Sequence, residues 1–584
     1  MSNILISTPP TSLATGLLQL DGGVAISSTP VYVADQNNTD SVLSLSTVNV
    51  GIGTTSPARL LDVNGDAQIN TLRVGLGAGS IASNTALGYR TLNANTTGAN
   101  NIAVGYESLL TNTTGSDNTA VGNQSLYLNN GNNNVGLGRY SLRSNSSGGD
   151  NTALGWGAMY SNTTGSANVS IGRSSMNANS TGGNNVSIGN NSLRNNTASN
   201  NTAVGFEAGY SNTSGTSITA IGYQALRTST GSNNTAVGNS VLYANTTGSG
   251  NTSLGYSALT SNTTGSDNVA IGSTSLLFNS TGGNNVSIGA NSLRNNTASN
   301  NTAVGYQAGY SNTSATGITA IGYQSLQAST GQNNTAVGFV SNFQNTTGTR
   351  NVTLGDRTLR TNTTGSSNTA IGSNALYSSI GNFNTAVGDT ALFNNTASSN
   401  TAIGFEAGYT NTSGTGITAV GYNALTFSTA SNNTAVGNQA SYSTTTGGSN
   451  TSVGAGALRN STTGEYNTSV GASSLNQNIS GNENVAVGSS ALENNTASRN
   501  VAVGMNAMLI NTSGERNVAV GYATNSGNFS NSVMLGYGAT ATGSNQMVFG
   551  SASGTVGTVT AGANASTQYW NVKINGTDYK ILLA

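Results

Sequence analysis

The chain has no cysteine and no histidine among its 584 residues. Disulfides, thiolate nucleophiles, the usual zinc sites and every Ser–His or Cys–His mechanism are thereby excluded. Charge is scarce: 17 basic and 18 acidic residues make up 6% of the chain and leave a net charge of −1. The only lysines are Lys573 and Lys580, and the arginines are scattered along the chain. A nucleic-acid binder needs a basic stripe to neutralise phosphates, so nucleic acid is not an expected partner. No apolar run is long enough to cross a bilayer, and the start MSNILISTPPTSLATGLLQL lacks a basic n-region and a continuous apolar h-region. Neither membrane insertion nor a signal peptide is expected, which fits synthesis in the cytoplasm and release within an assembled particle. With no covalent staples, stability has to come from packing and assembly.

What the chain has is one short phrase, close to NTAVGYxAL…NTTGSN, said over and over. Its glycine recurs at Gly88, Gly105, Gly122, Gly138, Gly155 and onward to Gly521, in steps of 16 or 17 residues, followed by shorter steps to Gly536 and Gly550. A fixed short period predicts a solenoid and overrides the several globular domains that length alone suggests. A larger unit is superposed: the stretch around Gly189 returns around Gly289 almost unchanged, six coils later.

Within Asn234-Thr235-Ala236-Val237-Gly238 a strand places Thr235 and Val237 on one face and Ala236 and Gly238 on the other. The first face carries Thr, Val or Ile at one place and nearly always Val, Ile or Leu at the other; the second is mostly small. A further apolar residue follows four positions after the glycine, as at Leu109, Leu126, Leu226 and Leu293. Polar stretches such as NTTGSD then supply turn residues and absorb the one-residue variation in period. The expected coil is two short strands and two turns around a thin aliphatic interior, with neighbouring coils completing each other's core. The row of Ala, Ser and Gly reads in two ways, as a bare water-facing surface or as the axis of a three-chain bundle. The thinness of the core favours the second.

At these residues the sequence resembles the YadA-like head repeats of trimeric autotransporter adhesins. NVSIG at 185–189 and 285–289, NVAIG at 268–272 and NVAVG at 484–488 and 517–521 carry the resemblance. It implies a left-handed parallel β-roll assembled as a trimer, with coils here longer than that family's usual 14 residues. Segment 50–69, VGIGTTSPARLLDVNGDAQI, is similar to a module of phage tail fibres, and 570–584, WNVKINGTDYKILLA, resembles their short closing segments. In the latter, Asn575-Gly576 between two apolar runs is a hairpin signal in its own right.

Chemistry finds little purchase. Paired carboxylates of polysaccharide-cutting enzymes are best matched by Asp356 and Asp389, which share a slot two coils apart, about 10 Å at strand spacing. That slot is expected to face solvent, so no catalytic residue is assigned and the protein is not read as an enzyme. Glycine-rich strings such as VGLGAGS lack the strand-to-helix context of a phosphate loop, and aspartate is not periodic as calcium-binding repeats require. No cofactor and no metal are expected.

Aromatics recur just after the repeat glycine, and Tyr210, Tyr310 and Tyr409 appear once per six coils in the string AGY. They form either a ladder bracing the rod or weak glycan-stacking sites, for which Tyr210, Tyr310, Tyr409 and Trp156 are the candidates. Asn-x-Ser/Thr sequons follow automatically from Asn/Thr-rich turns and are read as unmodified.

The whole reads as an all-β homotrimeric fibre of a virus or phage particle. Residues 1–47 form an attachment segment to other virion proteins, 48–83 a small β module, 84–551 the solenoid shaft and 552–584 a hairpin cap. The expected partners are two further copies of the chain and a host-surface glycan or protein, and the expected location is the virion surface. A non-viral adhesin and a monomeric ice-binding solenoid are the alternatives.

Overall fold

The computed structural model describes residues 66–550 in full, together with the strands Val31–Tyr32, Leu43–Leu45, Val50–Ile52, Leu61–Val63, Tyr569–Ile574 and Thr577–Leu582. All regular structure among the described residues is β, and no helix occurs. The chain forms two compact units, Met1–Asn300 and Asn301–Ala584. Each contains a parallel β-solenoid in which every coil contributes one short strand. In the first unit these run from Thr85–Gly88 to Val286–Ile288, and in the second from Thr302–Val304 to Met547–Phe549. Each strand pairs in register with the same positions of the next coil, as in Thr152↔Val169, Ala153↔Ser170 and Leu154↔Ile171.

The expected second strand is absent. Its place is taken by turns, because in most coils the residues two and four places after the glycine are left-handed: Ser240 at φ 55° and Leu242 at φ 50°, for example. Such angles break a strand. Stacking continues through them nonetheless, since Leu242 N donates to Ala258 O at 3.1 Å and Ala244 N to Thr260 O at 3.0 Å.

In the first unit the solenoid begins under a cap. Ala67–Ile69 and Leu72–Gly75 form an antiparallel pair, and the second of these runs antiparallel to Thr85–Gly88, covering the first strand's edge. Asp66 locks this cap by accepting from Leu76 N and Gly77 N and by pairing with Arg73 at 3.3 Å. Arg73 in turn donates to Thr91 O at 2.8 Å. Upstream, Val50–Ile52 pairs in parallel with Leu61–Val63 and antiparallel with Leu43–Leu45. Near the C-terminus Tyr569–Ile574 and Thr577–Leu582 pair antiparallel, with Ile574 opposite Thr577.

The two strand faces are the reverse of what the sequence suggested. Ala153, Ala203, Ala236 and Ala303 are fully buried, as are Ser170 and Ser187, while the row of larger aliphatic residues points outward: Leu254 is 47% exposed and Ile188 37%. The small residues therefore line neither a water-facing surface nor a three-chain axis; they are the inside of the coil. The cause is the narrowness of the coil. At Gly136 an added Cβ meets Ser125 Oγ at 2.5 Å and Leu126 Cγ at 3.2 Å, so that coil has no room for a side chain in the strand's inner slot; most other coils fill the slot with Ala or Ser, and Thr353 and Met534 are larger buried occupants. The core is completed by the left-handed leucines Leu126, Leu142, Leu242 and their equivalents, all at 0% exposure. We predict that Ala236→Val overpacks this slot and costs about 1–3 kcal/mol, whereas outward Val237→Thr, which leaves the interior of the coil untouched, costs less. Chemical denaturation of the two variants checks the inversion directly.

Two neighbouring columns of buried asparagine close the coil at one turn, both donating to the same carbonyl, as Asn151 and Asn162 do to Gly165 O. In one, Asn251 Nδ2 donates to Gly265 O at 2.9 Å, its backbone N to Asn234 Oδ1 at 2.9 Å, and its Oδ1 accepts from Asn268 N at 3.0 Å. In the other, Asn162 Nδ2 donates to Gly165 O at 2.9 Å and to Asn145 Oδ1 at 2.7 Å. Here asparagine is not a generic turn former. Its side-chain amide does the work of backbone pairing where the chain turns. The sequon asparagines of these columns, Asn145 and Asn162 among them, are fully buried and hydrogen-bonded, so the folded coil gives them no room for a glycan.

The first column is interrupted three times, by Ile218, Ile318 and Ile417, and each time the leucine slot nine residues earlier holds glycine: Gly209, Gly309 and Gly408. A Cβ on Gly209 would meet Leu193 Cδ2 at 2.9 Å and Ile218 Cδ1 at 3.5 Å; on Gly408 it would meet Ile417 Cδ1 at 3.3 Å. The isoleucine fills the volume that leucine has vacated.

Candidate interaction surfaces

Among the described residues no group of acids could hold a metal ion. The surface of the coils offers three kinds of feature. The first is the outward strand face, where Thr or Val at the first position and Val, Ile or Leu at the third make a flat, half-exposed apolar row. Beside it runs the column just after the glycine, and there the rings stack. Tyr89 lies 5.3 Å from Tyr106, Phe206 5.3 Å from Tyr223, and Phe405 5.3 Å from Tyr422, with interplanar angles of 12–17°. In the second unit Tyr306, Tyr323 and Phe339 make a run of three. Parallel register forces equivalent rings one strand spacing apart, so stacking follows from the fold.

The second feature is a column five residues after the glycine, where tyrosine alternates with arginine. Arg143 lies between Tyr127 and Tyr160, 5.0 and 5.5 Å from their ring centres. Tyr210 lies between Arg194 at 5.7 Å and Arg227 at 5.3 Å, and its hydroxyl accepts from Arg194 Nη1 at 2.6 Å. Both faces of this glycan-stacking candidate are thus covered by guanidinium groups. Tyr409 stacks on Phe393 at 5.2 Å, and Trp156, 46% exposed, carries Arg173 at 5.2 Å over its ring. Tyr310 is half-buried, and its amide donates to Gln307 O at 3.3 Å. Trp156 and Tyr210 stand at separate coils of the first unit, and Tyr310 and Tyr409 at separate coils of the second; the three tyrosines lie five residues after a repeat glycine and Trp156 one residue after.

The third feature is the ion pairs. Arg227 Nε donates to Glu207 Oε2 at 2.7 Å, and Gln224 Nε2 donates to the same oxygen at 2.9 Å. The hydrogen bond from Arg227 holds the Glu207 carboxyl below its ordinary value of 4.5. Because the folded pKa lies below the unfolded one, this contribution is complete above about pH 4.5 and is lost as pH falls through the folded value. Glu207→Gln is expected to remove about 0.5–1 kcal/mol of the acid-side loss of stability, a size set by partial exposure of the pair. Comparing melting curves of the variant and parent at pH 7 and pH 3 reads it out. Six coils on, the pair is replaced jointly by Gln307 and Gln327, with Gln327 Nε2 donating to Gln307 Oε1 at 3.1 Å. Asp356 and Asp389 share their column in the second unit; Asp356 pairs with Arg357 at 3.4 Å, and Asp389 is exposed.

No family model, curated protein or solved structure matches this chain.

Proposed function

We infer that the protein is a structural fibre of a virus or phage particle, a homotrimer of left-handed β-rolls of the YadA-like head type, that attaches the particle to a host surface. The observation that carries this reading is the outward strand face. It is a regular, half-exposed apolar row, Leu137, Leu154, Ile171 and Ile188 in succession in the first unit. Isolated surface leucines need no explanation, but an apolar row this long is characteristic of a surface that another protein covers. A second and third copy are the partners whose rows match it in spacing and direction at every coil, which is how symmetric assemblies make long contacts. The small residues are spent inside each coil, so the outward aliphatic row, and not the alanines, faces the three-fold axis.

The test is a pair of charged substitutions on this row, Ile171→Glu and Ile188→Glu. Expected is dissociation to monomers with the far-UV spectrum retained, and loss of host-cell adhesion by particles carrying the variant. Unchanged mass and adhesion would overturn the reading.

A further inference from the structure

Folding sorts the charges of the first unit onto two sides. From Thr85 to Asn300 there are seven arginines, and every one lies one, two or five residues after a repeat glycine: Arg139 and Arg173 at the first place, Arg90 at the second, Arg143, Arg194, Arg227 and Arg294 at the fifth. Coil-to-coil hydrogen bonds such as Ser144 N to Tyr160 O at 3.1 Å and Ser211 N to Arg227 O at 2.9 Å stack these places into one strip. Only two acids share the strip, Glu107 and Glu207, and they are paired with Arg90 at 3.1 Å and Arg227 at 2.7 Å. The remaining acids, Asp117, Asp150 and Asp267, all sit five residues before a glycine, in the turn that precedes the strand. The second unit shows no such sorting. Its strip carries Arg357, Arg360 and Arg459 against Asp356, Asp389, Glu406 and Glu493.

The arginines of the first unit are also held. Arg139 lies 4.5 Å from the Tyr140 ring centre, Arg173 5.2 Å from Trp156 and Arg294 4.8 Å from Phe278, in addition to the Arg143, Arg194 and Arg227 stacks. A guanidinium laid against a ring keeps its fork of N–H donors in the plane of its edge, ordered in advance for a carboxylate or sulfate. Successive members of the fifth-place column stand about 10–19 Å apart at strand spacing. Double-stranded nucleic acid carries a charge every ~1.7 Å, far denser than this strip can match. A sugar polymer with one anionic group per repeat has the lower density that fits.

We propose that the arginine-and-aromatic strip of the first unit binds a linear anionic polysaccharide bearing carboxylate or sulfate groups. The inference rests on the attachment reading and names the class of receptor.

The test uses the full chain against immobilised hyaluronate, chondroitin sulfate, neutral dextran and duplex DNA. Expected is binding to one or both anionic polysaccharides and none to dextran, with affinity falling about 10-fold or more between about 50 and 200 mM salt. The variant Arg139→Gln/Arg143→Gln/Arg173→Gln/Arg194→Gln should lose at least about 10-fold, and the milder exposed pair Arg139→Gln/Arg173→Gln, which removes no hydrogen bond between coils, several-fold. Arg357→Gln/Arg459→Gln in the second unit should leave binding unchanged. Far-UV spectra and melting curves confirm that each variant is folded. No binding to either anionic polysaccharide, equal loss from the second-unit variant, or DNA binding as tight as polysaccharide binding overturns the proposal. None of these outcomes depends on oligomeric mass or cell adhesion, so attachment and its receptor class fail separately.

Discussion

Gly222→Ala lowers the stability of its stack of coils by about 3–5 kcal/mol, among the largest effects expected of any single substitution in this chain. Gly222 has φ 130°, a conformation that residues with a Cβ rarely adopt, and a Cβ there would lie 2.1 Å from Gly238 O and 2.7 Å from Gly238 C. The obstacle is the backbone of the next coil, which cannot move without opening the ladder in which Gly238 N donates to Ile221 O at 2.7 Å. The same geometry recurs one coil on, where a Cβ at Gly238 meets Gly255 O at 2.2 Å. This is why the glycine punctuates every repeat. Gly157→Ala is the control: φ is 64° and the nearest atom to its Cβ is Asn177 Nδ2 at 3.5 Å, so the cost falls to about 1 kcal/mol. Denaturant unfolding of the two variants, with limited proteolysis to locate the opened coils, separates a steric veto from a general dislike of alanine.

The second large effect is a rescue. Asn251→Ile deletes an amide that satisfies Gly265 O, Asn234 Oδ1 and Asn268 N, and forces a branched side chain against Leu242, which is fully buried. Leaving several buried polar groups unmade costs about 3–5 kcal/mol. Leu242→Gly alone empties the core and costs about as much. Together the two substitutions reproduce the arrangement seen at Gly209 and Ile218, where Ile218 N still donates to Asn201 Oδ1 at 3.0 Å and Gly215 N donates to Asn212 Oδ1 at 2.9 Å. The double variant is therefore expected to recover about half or more of the summed losses, a coupling energy of about 3 kcal/mol. Simple additivity would contradict the volume exchange inferred at this pair.

Much of the architecture is legible in the sequence, and what is not has identifiable causes. The glycine period alone leads to a solenoid, since a phrase repeated every 16 or 17 residues cannot bury its few apolar side chains except against its neighbours. Which strand face is inside is not legible from alternation, because both faces are apolar. Expecting valine to be buried and alanine exposed is the usual rule of thumb, and here the coil is too narrow for it. The signal for it is Gly136, a residue smaller still in a slot that most other coils fill with Ala or Ser. Asparagine hides its role in the same manner: in the sequence it marks turns, and only in stacked coils does Asn234 meet Asn251 and Asn251 meet Asn268. The exchange of Asn for Ile in the coil where Leu becomes Gly, repeated at Ile218, Ile318 and Ile417, was readable had the chain been aligned on its own period. So was the arginine strip. Residues such as Arg143, Arg194 and Arg227 look scattered along the chain and coincide once each is counted from its own glycine.

The aromatic columns were read as either a brace or a set of sugar platforms. Stacking of Tyr89 on Tyr106 and of Phe206 on Tyr223 gives them a bracing geometry, with ring faces turned to one another along the coils. What such columns leave for a ligand is their edges and the guanidinium groups laid against them.

We propose the outward aliphatic row as an interface between copies of the chain. The measurement that tests it most directly is the native mass of the purified protein by light scattering, taken alongside Ile171→Glu/Ile188→Glu. Three times 58.3 kDa for the parent, with a smaller mass for the folded variant, is the predicted result. A parent that is well folded at 58.3 kDa would contradict it and leave the apolar row facing water.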